Sequence, residues 1–299
     1  MDTGILLESG TNELELLEFC IGTNYYGINV AKVREILPYK DPTPIPNAHP
    51  CIEGIFMPRD EIITIVDLGR YLNMPASDSG KDMYIVTNFN KLNIGFHVHS
   101  VVGISRVSWA DISKPDVTLN SNGSGIATGI IKKEGKLIVI LDFEKIITDI
   151  SPETGLKVSD IDQLGPRQRN EAPILIAEDS PLLGKLISES LIKAGYSNLT
   201  MTTNGQEAWD KLNEFKTQGI LDQKVKLIIT DIEMPQMDGH RLTKLVKDSH
   251  AFSHLPVVIF SSMVNEEMKK KGLSLGADAQ LSKPEIGYLV EAIDKILWK

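Results

Sequence analysis

KLIITDIEMPQMDG, residues 226–239, is the stretch that decides the fold of half of this chain. An apolar, β-branched run ends at the acid Asp231, and a loop containing Pro235 then leads to a helix-forming segment. A buried strand followed by a loop and a helix is the repeating unit of a parallel α/β sheet. The same order occurs five times between residues 172 and 299, so the sequence predicts a doubly wound (βα)5 domain there.

Polar side chains follow four of these predicted strands. They are Glu178 and Asp179 after the first strand, Asp231 after the third, Ser261 and Ser262 after the fourth, and Lys283 after the fifth. The carboxyl ends of parallel strands meet at one edge of the sheet, where chemistry gathers. Three carboxylates at one place repel each other unless a divalent cation lies among them, and hard oxygen ligands favour Mg²⁺. A lysine and a hydroxyl beside them suit a phosphoryl group.

A simpler interpretation of these acids is that they cap helices. Asp179 and Ser180 come where a helix is predicted to begin, and Ser180 is followed by Pro181, which is typical of a first helical position. Caps alone do not account for an acid, a hydroxyl and a lysine at the ends of different strands. We therefore favour a site that binds a metal and a phosphoryl group.

The motifs of this half resemble those of response-regulator receiver domains over residues 172–299. They are EDS at 178–180, DIEMPQMDG at 231–239, the strand end at Ser261 and KP at 283–284. The resemblance implies that Asp231 accepts a phosphoryl group from a phosphohistidine. It also implies an Mg²⁺ site formed by the side chains of Glu178, Asp179 and Asp231 with a backbone carbonyl from Glu233.

The same resemblance assigns roles around the phosphate. It implies that Ser261 is the switch hydroxyl, that Lys283 contacts the phosphate and that the Lys283–Pro284 bond is cis. Three residues before the lysine, where most receivers carry an aromatic that moves inward on phosphorylation, this chain has Gln280. The departure concerns the aromatic rotamer switch and leaves the metal and phosphate chemistry in place.

The first half of the chain has a different pattern, in which apolar residues alternate with period two along short runs. KKEGK at 132–136 predicts a β-hairpin in which Gly135 takes the positive φ of the turn. Short helices are predicted near residues 31–37 and 143–147. Many short strands separated by Gly and Pro predict a barrel or a sandwich.

Residues 151–171, SPETGLKVSDIDQLGPRQRNE, separate the two patterns. Two prolines, two glycines and many polar side chains predict an exposed linker, with a short helical turn near residues 158–164. We therefore divide the chain into a first domain at residues 1–150, this linker, and a second domain at residues 172–299.

The first domain resembles CheW-like coupling domains over residues 13–150. The stretches that carry the resemblance are FCIGTNYYGINVAKVREIL at 19–37, TPIP at 43–46, IEGIFMPRDEIITIVDL at 52–68 and GIIKKEGKLIVILDFEKI at 129–146. The resemblance implies two small SH3-like five-stranded barrels. It also implies binding to the chemoreceptor tip and to the regulatory domain of the histidine kinase CheA.

Arg59 is the candidate partner-binding residue of this domain. Coupling proteins usually carry Asn-Leu-Arg-Gly where this chain has Met57-Pro58-Arg59-Asp60, so the arginine alone is retained. We expect Arg59 to contact a receptor. The alternative is a surface arginine paired with Asp60 or Glu61.

His97 and His99 are the other residues that we considered for a site, because two histidines two apart on a strand share a face. The sequence places no third ligand beside them, so we expect ordinary surface or core histidines. Cys20 and Cys51 match no redox spacing and are expected to be small buried hydrophobes in a reducing cytoplasm.

Composition and charge narrow the classes of partner. The net charge is -9, and neither half has the basic excess that binding to nucleic acid or to an anionic membrane surface requires. The chain has no run of about 20 apolar residues, so we expect no direct membrane insertion. The acidic N-terminal stretch lacks the basic region of a signal peptide, which predicts a cytoplasmic protein.

A CheW-like domain joined to a receiver resembles the CheV class of chemotaxis coupling proteins. The resemblance implies a cytoplasmic adaptor at membrane chemoreceptor arrays, which couples methyl-accepting chemoreceptors to CheA and is regulated by phosphorylation at Asp231 (adaptation). An alternative is that the receiver acts as a phosphate sink that drains phosphoryl groups from CheA. Residues 1–150 contain no acid/base pair and no nucleophile with its base, so we do not expect an enzyme.

Overall fold

Two units make up the described part of the chain, and they divide between Thr154 and Gly155. The structure, a computed structural model, describes residues 13–76, 80–89, 92–113, 115, 125–156, 158–262 and 266–298. None of the helices in these ranges combines the length and the apolar character that a membrane crossing requires.

The first unit is dominated by strands. Its described strands and α-helices are β1 Glu13–Ile21, β2 Asn24–Asn29, β3 Val33–Pro38, β4 Ile52–Phe56, β5 Ile63–Asp67, α1 Leu68–Tyr71, β6 Met83–Phe89, β7 Leu92–Val98, β8 Ser100–Ser108, β9 Ala127–Lys133, β10 Lys136–Leu141 and α2 Phe143–Ile150. They form two five-stranded sheets, in the orders β8-β1-β2-β10-β9 and β3-β6-β7-β5-β4. The predicted β architecture with two five-stranded units is confirmed.

The period-two pattern of the first unit places alternate side chains in its core. Leu17, Phe19 and Ile21 are all buried, and Phe19 packs edge-on against Phe143 of α2 with 6.2 Å between the ring centroids. The hairpin between β9 and β10 is also confirmed, because Glu134 and Gly135 have φ values of 49° and 75° at its turn. Two consecutive positive φ values match the right-handed twist of the flanking strands.

The helix predicted near residues 31–37 is wrong. A 3-10 turn at Val30–Lys32, capped by the Asn29 side chain, gives way at once to strand β3. Strand β3 pairs antiparallel with β6, and Ile36 lies opposite Ile85. Pairing with a strand some fifty residues away has overridden the local helical spacing of the apolar residues.

The second unit alternates strands and helices. Its elements are β11 Ile174–Ala177, α3 Pro181–Lys193, β12 Leu199–Thr202, α4 Gly205–Thr217, α5 Leu221–Lys224, β13 Leu227–Thr230, α6 Gly239–Asp248, β14 Val257–Ser261, α7 Glu266–Ser274, β15 Ala279–Ser282 and α8 Ile286–Leu297. The five strands are parallel, in the order β12-β11-β13-β14-β15. The predicted doubly wound (βα)5 domain is confirmed.

Helices cover both faces of this parallel sheet, so its central strands are buried throughout. Ile174 and Ile176 of β11 point to the layer that contains α3 and α8. Leu175 and Ala177 point to the opposite layer, which contains α4 and α6. The parallel pairing register of the five strands brings their carboxyl ends to one edge of the sheet.

The segment at residues 155–171 is packed against the second unit in part, and the expectation of an exposed linker is wrong there. Leu156 and Ile161 are buried in the layer beside α3 and α8. Arg167 donates to the carbonyl of Ala194 at 2.8 Å and to Asp294 Oδ2 at 2.6 Å. The expected helical turn is present as a 3-10 helix at Val158–Leu164. Burial of Leu156 and Ile161, together with the hydrogen bonds of Arg167, holds this short segment on the second unit.

His240 of α6 gives the second unit a dependence of stability on pH. Burial, together with the charge of Lys271, lowers the pKa of His240 to about 4 from its ordinary value of 6.5. Between pH 6.5 and pH 4, His240 is therefore mostly protonated in the unfolded chain and mostly neutral in the folded chain. We expect the free energy of unfolding to fall by about 1.4 kcal/mol for each pH unit lost in that window.

Urea unfolding at pH 7, 6 and 5 measures this contribution. We expect His240→Leu to flatten the pH dependence of the free energy of unfolding, and His254→Gln, at an exposed histidine beside Asp222, is the control for loss of an imidazole. Burial raises the pKa of the neighbouring Asp238, which has the opposite sign and is common to wild type and variants. Identical slopes for wild type and His240→Leu would contradict the assignment.

Candidate functional site

Three polar side chains meet where the strands of the parallel sheet end. Glu178 follows β11, Asp231 follows β13 and Lys283 follows β15. Strands β11 and β13 pair in parallel, and the N–H of Asp231 donates to the carbonyl of Ala177 at 3.0 Å. This backbone bond continues the ladder past the strand ends and holds the acids side by side.

Lys283 bridges the two acids. Its Nζ lies 2.8 Å from Glu178 Oε2 and 2.9 Å from Asp231 Oδ2. The exposed fractions of the three side chains are only 2% for Lys283, 2% for Glu178 and 7% for Asp231. Buried charges are tolerated only when they are paired and hydrogen-bonded, and Lys283 gives both buried carboxylates such a partner. The Lys283–Pro284 peptide is cis, as predicted.

The remaining carboxylate oxygens accept backbone hydrogen bonds. Asp231 Oδ1 accepts from the N–H of Ile232 at 2.6 Å, and Glu178 Oε1 accepts from the N–H of Ser180 at 3.3 Å. Each carboxylate is therefore held by the lysine on one oxygen and by the chain on the other. This arrangement fixes the orientation of Asp231 before any partner binds.

A set of metal donors surrounds the same point. One oxygen from each of Glu178, Asp179 and Asp231 lies within 4.8 Å of the other two. Asp179 is partly exposed, so the set opens toward solvent while the other two acids are buried. Three carboxylates with an open side suit a hard divalent cation that keeps several of its waters. Glu233 is half-buried in the loop after β13, and its role as a carbonyl ligand stays a prediction.

Ser261 and Ser262 are both buried at the end of β14. The carbonyl of Ser261 accepts from the N–H of Lys283 at 3.0 Å, which fixes the serine beside the strand that carries the lysine. The structure therefore brings the two predicted phosphate-binding residues to the same sheet edge. Contact of the Ser261 hydroxyl with a phosphate stays a prediction.

Gln280 points inward, which the sequence did not predict. It lies on β15 opposite Ile259 and is buried, with its amide against α7. A Cβ added to Gly272 of α7 would lie 2.0 Å from Gln280 Oε1, so the glycine is what leaves room for the amide. Within the described part of the chain neither amide atom has a hydrogen-bond partner. A buried amide without partners favours any movement of α7 that lets water or a donor reach it.

Gly239 is required where the loop after β13 enters α6. A Cβ at this position would lie 1.8 Å from the carbonyl oxygen of Asp231, closer than any real contact. We expect Gly239→Ala to lower the free energy of unfolding by about 1–3 kcal/mol, the usual range for overpacking, and to displace Asp231.

Gly287→Ala is the matched control, because Gly287 also lies in the first turn of a helix but has open space around its Cα. We expect this change to be neutral or slightly stabilising. Urea unfolding of the two variants provides the comparison. Equal stabilities would show that the chain near Asp231 relaxes freely, contrary to this interpretation.

Arg59 lies on the surface of the first unit with a positive φ of 63° and a side chain that is 81% exposed. Its Nη2 lies 3.6 Å from Glu35 Oε2, so the pairing with Asp60 or Glu61 that we considered is replaced by a contact with Glu35 of β3. Glu61 pairs with Arg34 instead. A weak, exposed ion pair leaves the guanidinium accessible.

Comparison with known proteins shows two families on this one chain. Residues 15–151 match the CheW-like domain, and residues 174–294 match the response regulator receiver domain. Chemotaxis protein CheV3 of Helicobacter pylori is 35% identical over 303 residues, which cover 96% of each chain. The chain belongs to the CheV family of chemotaxis proteins. The predicted combination of a CheW-like domain and a receiver is confirmed.

Other relatives agree with this CheV assignment. Chemotaxis protein CheV2 of Helicobacter pylori is 31% identical over 290 residues, 91% of this chain and 90% of that protein. Chemotaxis protein CheW of Thermotoga maritima is 28% identical over 151 residues, 50% of this chain and 98% of that protein. The CheV family and the CheW-like match support the prediction of a chemotaxis adaptor that is not an enzyme.

Proposed function

We propose that this CheV-family protein couples chemoreceptors to the histidine kinase CheA and that phosphorylation of Asp231 regulates the coupling (adaptation). The observation that carries the proposal is the buried bridge from Lys283 to Glu178 and Asp231, in a chain that also contains a CheW-like domain. A buried, charged site at the carboxyl edge of the second domain supports an adaptor whose coupling is regulated over one that only couples. Such a protein would act in the cytoplasm at membrane chemoreceptor arrays.

In this proposal Glu178, Asp179 and Asp231 hold Mg²⁺, with a backbone carbonyl from Glu233. Their oxygen-only donor set fits the cation, which would neutralise charge on the phosphoryl group during transfer. A carboxylate oxygen of Asp231 attacks the phosphorus of a phosphohistidine on CheA, an O–P bond forms and the P–N bond breaks. The hydrogen bonds to Asp231 hold its carboxylate ready for this attack.

Phosphorylation of Asp231 changes the net charge and the hydrogen-bond acceptors of the site. A phosphoryl group adds about -1.5 to -2 charges at pH 7 and three acceptor oxygens. Lys283 is the nearest cation, and Ser261 offers a hydroxyl at the neighbouring strand end. We infer that their engagement shifts β14 and β15 with the adjoining helix α7, against which Gln280 is packed.

The first unit supplies the binding surfaces in this proposal. Arg59 is accessible, and within three residues of it along the chain lie Met57 and Ile62, two apolar side chains that are more than half exposed. An exposed cation among exposed apolar side chains is the usual composition of a protein-binding patch. We assign this patch, Met57, Arg59 and Ile62, to the receptor contact.

Asp179→Ala is expected to weaken Mg²⁺ binding about 100-fold or more, because it removes one of three carboxylates that surround the cation. Calorimetric titration of Mg²⁺ into the full chain measures the change. Glu189→Ala on α3 is the control, since Glu189 is an exposed acid of the next helix. Unaltered Mg²⁺ affinity in Asp179→Ala would remove the metal assignment.

Receptor-dependent CheA activity, with this protein as the sole coupling protein, tests the function. We expect activity above that of CheA without a coupler, and a change in it when an acyl-phosphate mimic and Mg²⁺ are added. No activation would contradict the coupling. Activation that the mimic leaves unchanged, together with rapid loss of label from phospho-CheA, would favour a phosphate sink over regulation.

A further inference from the structure

A second cluster of metal-ligating side chains lies in the first unit, far in sequence from the receiver. One donor atom from each of Glu53, Asp67 and His97 lies within 4.8 Å of the other two. The three side chains are partly buried. The sequence places no third ligand beside His97 and His99, but the sheet brings Glu53 and Asp67 to His97.

The sheet topology explains why these residues meet. Asp67 at the end of β5 and His97 on β7 are direct neighbours in a parallel ladder. Glu53 lies on β4, which pairs with the other side of β5. Asp82 comes immediately before β6, which pairs with the other side of β7. Three adjacent strands, and the residue just before a fourth, therefore bring one side chain each to the same place.

His97 is held between two carboxylates. Its Nδ1 lies 3.0 Å from Glu53 Oε1 and its Nε2 lies 3.2 Å from Asp82 Oδ1. A histidine that binds a metal through one nitrogen usually donates its other N–H to a carboxylate, which fixes the orientation of the ring. Asp82 occupies that second position here.

Glu53 provides an independent observation. Its Oε2 is buried, and among the residues that the structure describes it has no hydrogen-bond partner. A buried carboxylate oxygen without a partner is strongly unfavourable. A cation bound between Glu53 and His97 would give this oxygen a partner, since a carboxylate can bind a metal through both of its oxygens.

We propose that Glu53, Asp67 and His97 bind a divalent transition-metal ion of the Zn²⁺ class, with Asp82 as the residue that positions His97. The mixed nitrogen and oxygen donor set selects this class over Mg²⁺, which takes oxygen ligands. Three protein ligands leave a fourth position for water or for a partner's side chain. The ion would tie β4, β5 and β7 together and would act independently of the site at Asp231.

Asp67 already pairs with Arg70, and its carboxylate can bind both Arg70 and a metal ion. Its Oδ1 accepts from the N–H of Arg70 at 2.9 Å, and its Oδ2 lies 3.2 Å from Arg70 Nε. A carboxylate has about four lone-pair positions, so these contacts leave sites for a metal. The Arg70 side chain is 58% exposed, and its Nη1 also donates to the carbonyl of Pro50 at 3.2 Å, so its charge has a second partner besides Asp67.

Cobalt is the probe that tests the site, because Co²⁺ replaces Zn²⁺ and absorbs visible light in a way that reports its ligands. We expect the full chain, in excess Mg²⁺ to fill the receiver, to bind one equivalent of Co²⁺ and to release it to Zn²⁺. His97→Gln and Glu53→Gln should lose this absorption. Asp82→Asn should weaken the affinity by about 10- to 100-fold, as removal of an outer hydrogen-bond partner does.

Three controls make the result specific. His254→Gln, at an exposed histidine of the other unit, and Asp179→Ala, in the receiver site, should both keep the cobalt spectrum. Circular dichroism checks that each variant is folded, and Glu53→Gln changes shape so little that its fold should survive. A wild-type chain that binds neither metal, or a spectrum that persists in both His97→Gln and Glu53→Gln, would overturn the proposal.

Discussion

Asp231→Asn is expected to abolish transfer of a phosphoryl group from phospho-CheA, because an amide cannot form the acyl phosphate. The change is nearly isosteric and removes one of two buried carboxylates that share Lys283. The amide can satisfy either the N–H of Ile232 or the Lys283 ammonium with its oxygen, but not both. We therefore expect the variant to fold, with a loss of about 1–3 kcal/mol in the free energy of unfolding.

Labelled phospho-CheA measures the loss of transfer directly. Asp210→Asn is the control, since Asp210 is an exposed acid on α4 and its variant should take up label like the wild type. The proposed function further expects Asp231→Asn to assemble with receptors and CheA but to lose the adjustment that phosphorylation brings. Label on Asp231→Asn would move the phosphoacceptor elsewhere, and equal CheA activity for wild type and variant under phosphorylating conditions would leave the phosphate sink as the better interpretation.

Lys283→Met is expected to be the most destabilising single change at the site when Mg²⁺ is absent. It removes the ammonium from between Glu178 and Asp231 while keeping the side-chain volume, so two buried carboxylates lose their cation. Breaking a buried ion pair from one side costs about 3–5 kcal/mol. Mg²⁺ can replace the missing charge, so we expect added Mg²⁺ to restore more stability to the variant than to the wild type.

Urea unfolding with and without Mg²⁺ tests this expectation. Lys185→Met on α3 is the control, because Lys185 is 72% exposed and makes only a weak contact with Glu189. We expect the control to lie within about 0.5 kcal/mol of the wild type in both conditions. If Lys283→Met is as stable as the wild type without Mg²⁺, the lysine does not neutralise the acids and the electrostatic account of the site is wrong.

The two sites differ in how far the sequence could predict them. For Glu178, Asp231 and Lys283, a local pattern was enough, because each follows an apolar strand and all strands of a parallel sheet end at one edge. For His97 the local pattern was misleading, because it pointed to His99, two residues further along the chain, as the second ligand. Its neighbours are Glu53 of β4 and Asp82, which comes just before β6, and nothing in the spacing along the chain indicates that these segments meet at β7.

Apolar periodicity and strand-end chemistry by themselves determined that this chain has a β domain and a (βα)5 domain, and which residues meet at the edge of the parallel sheet. Only the tertiary structure decided that residues 33–38 form a strand, that Leu156 and Ile161 dock on the second unit, and that Gln280 turns inward against Gly272. Each of these outcomes depends on a partner surface distant in sequence. Local propensities differ by about 1 kcal/mol or less, so burial or pairing against such a surface overrides them.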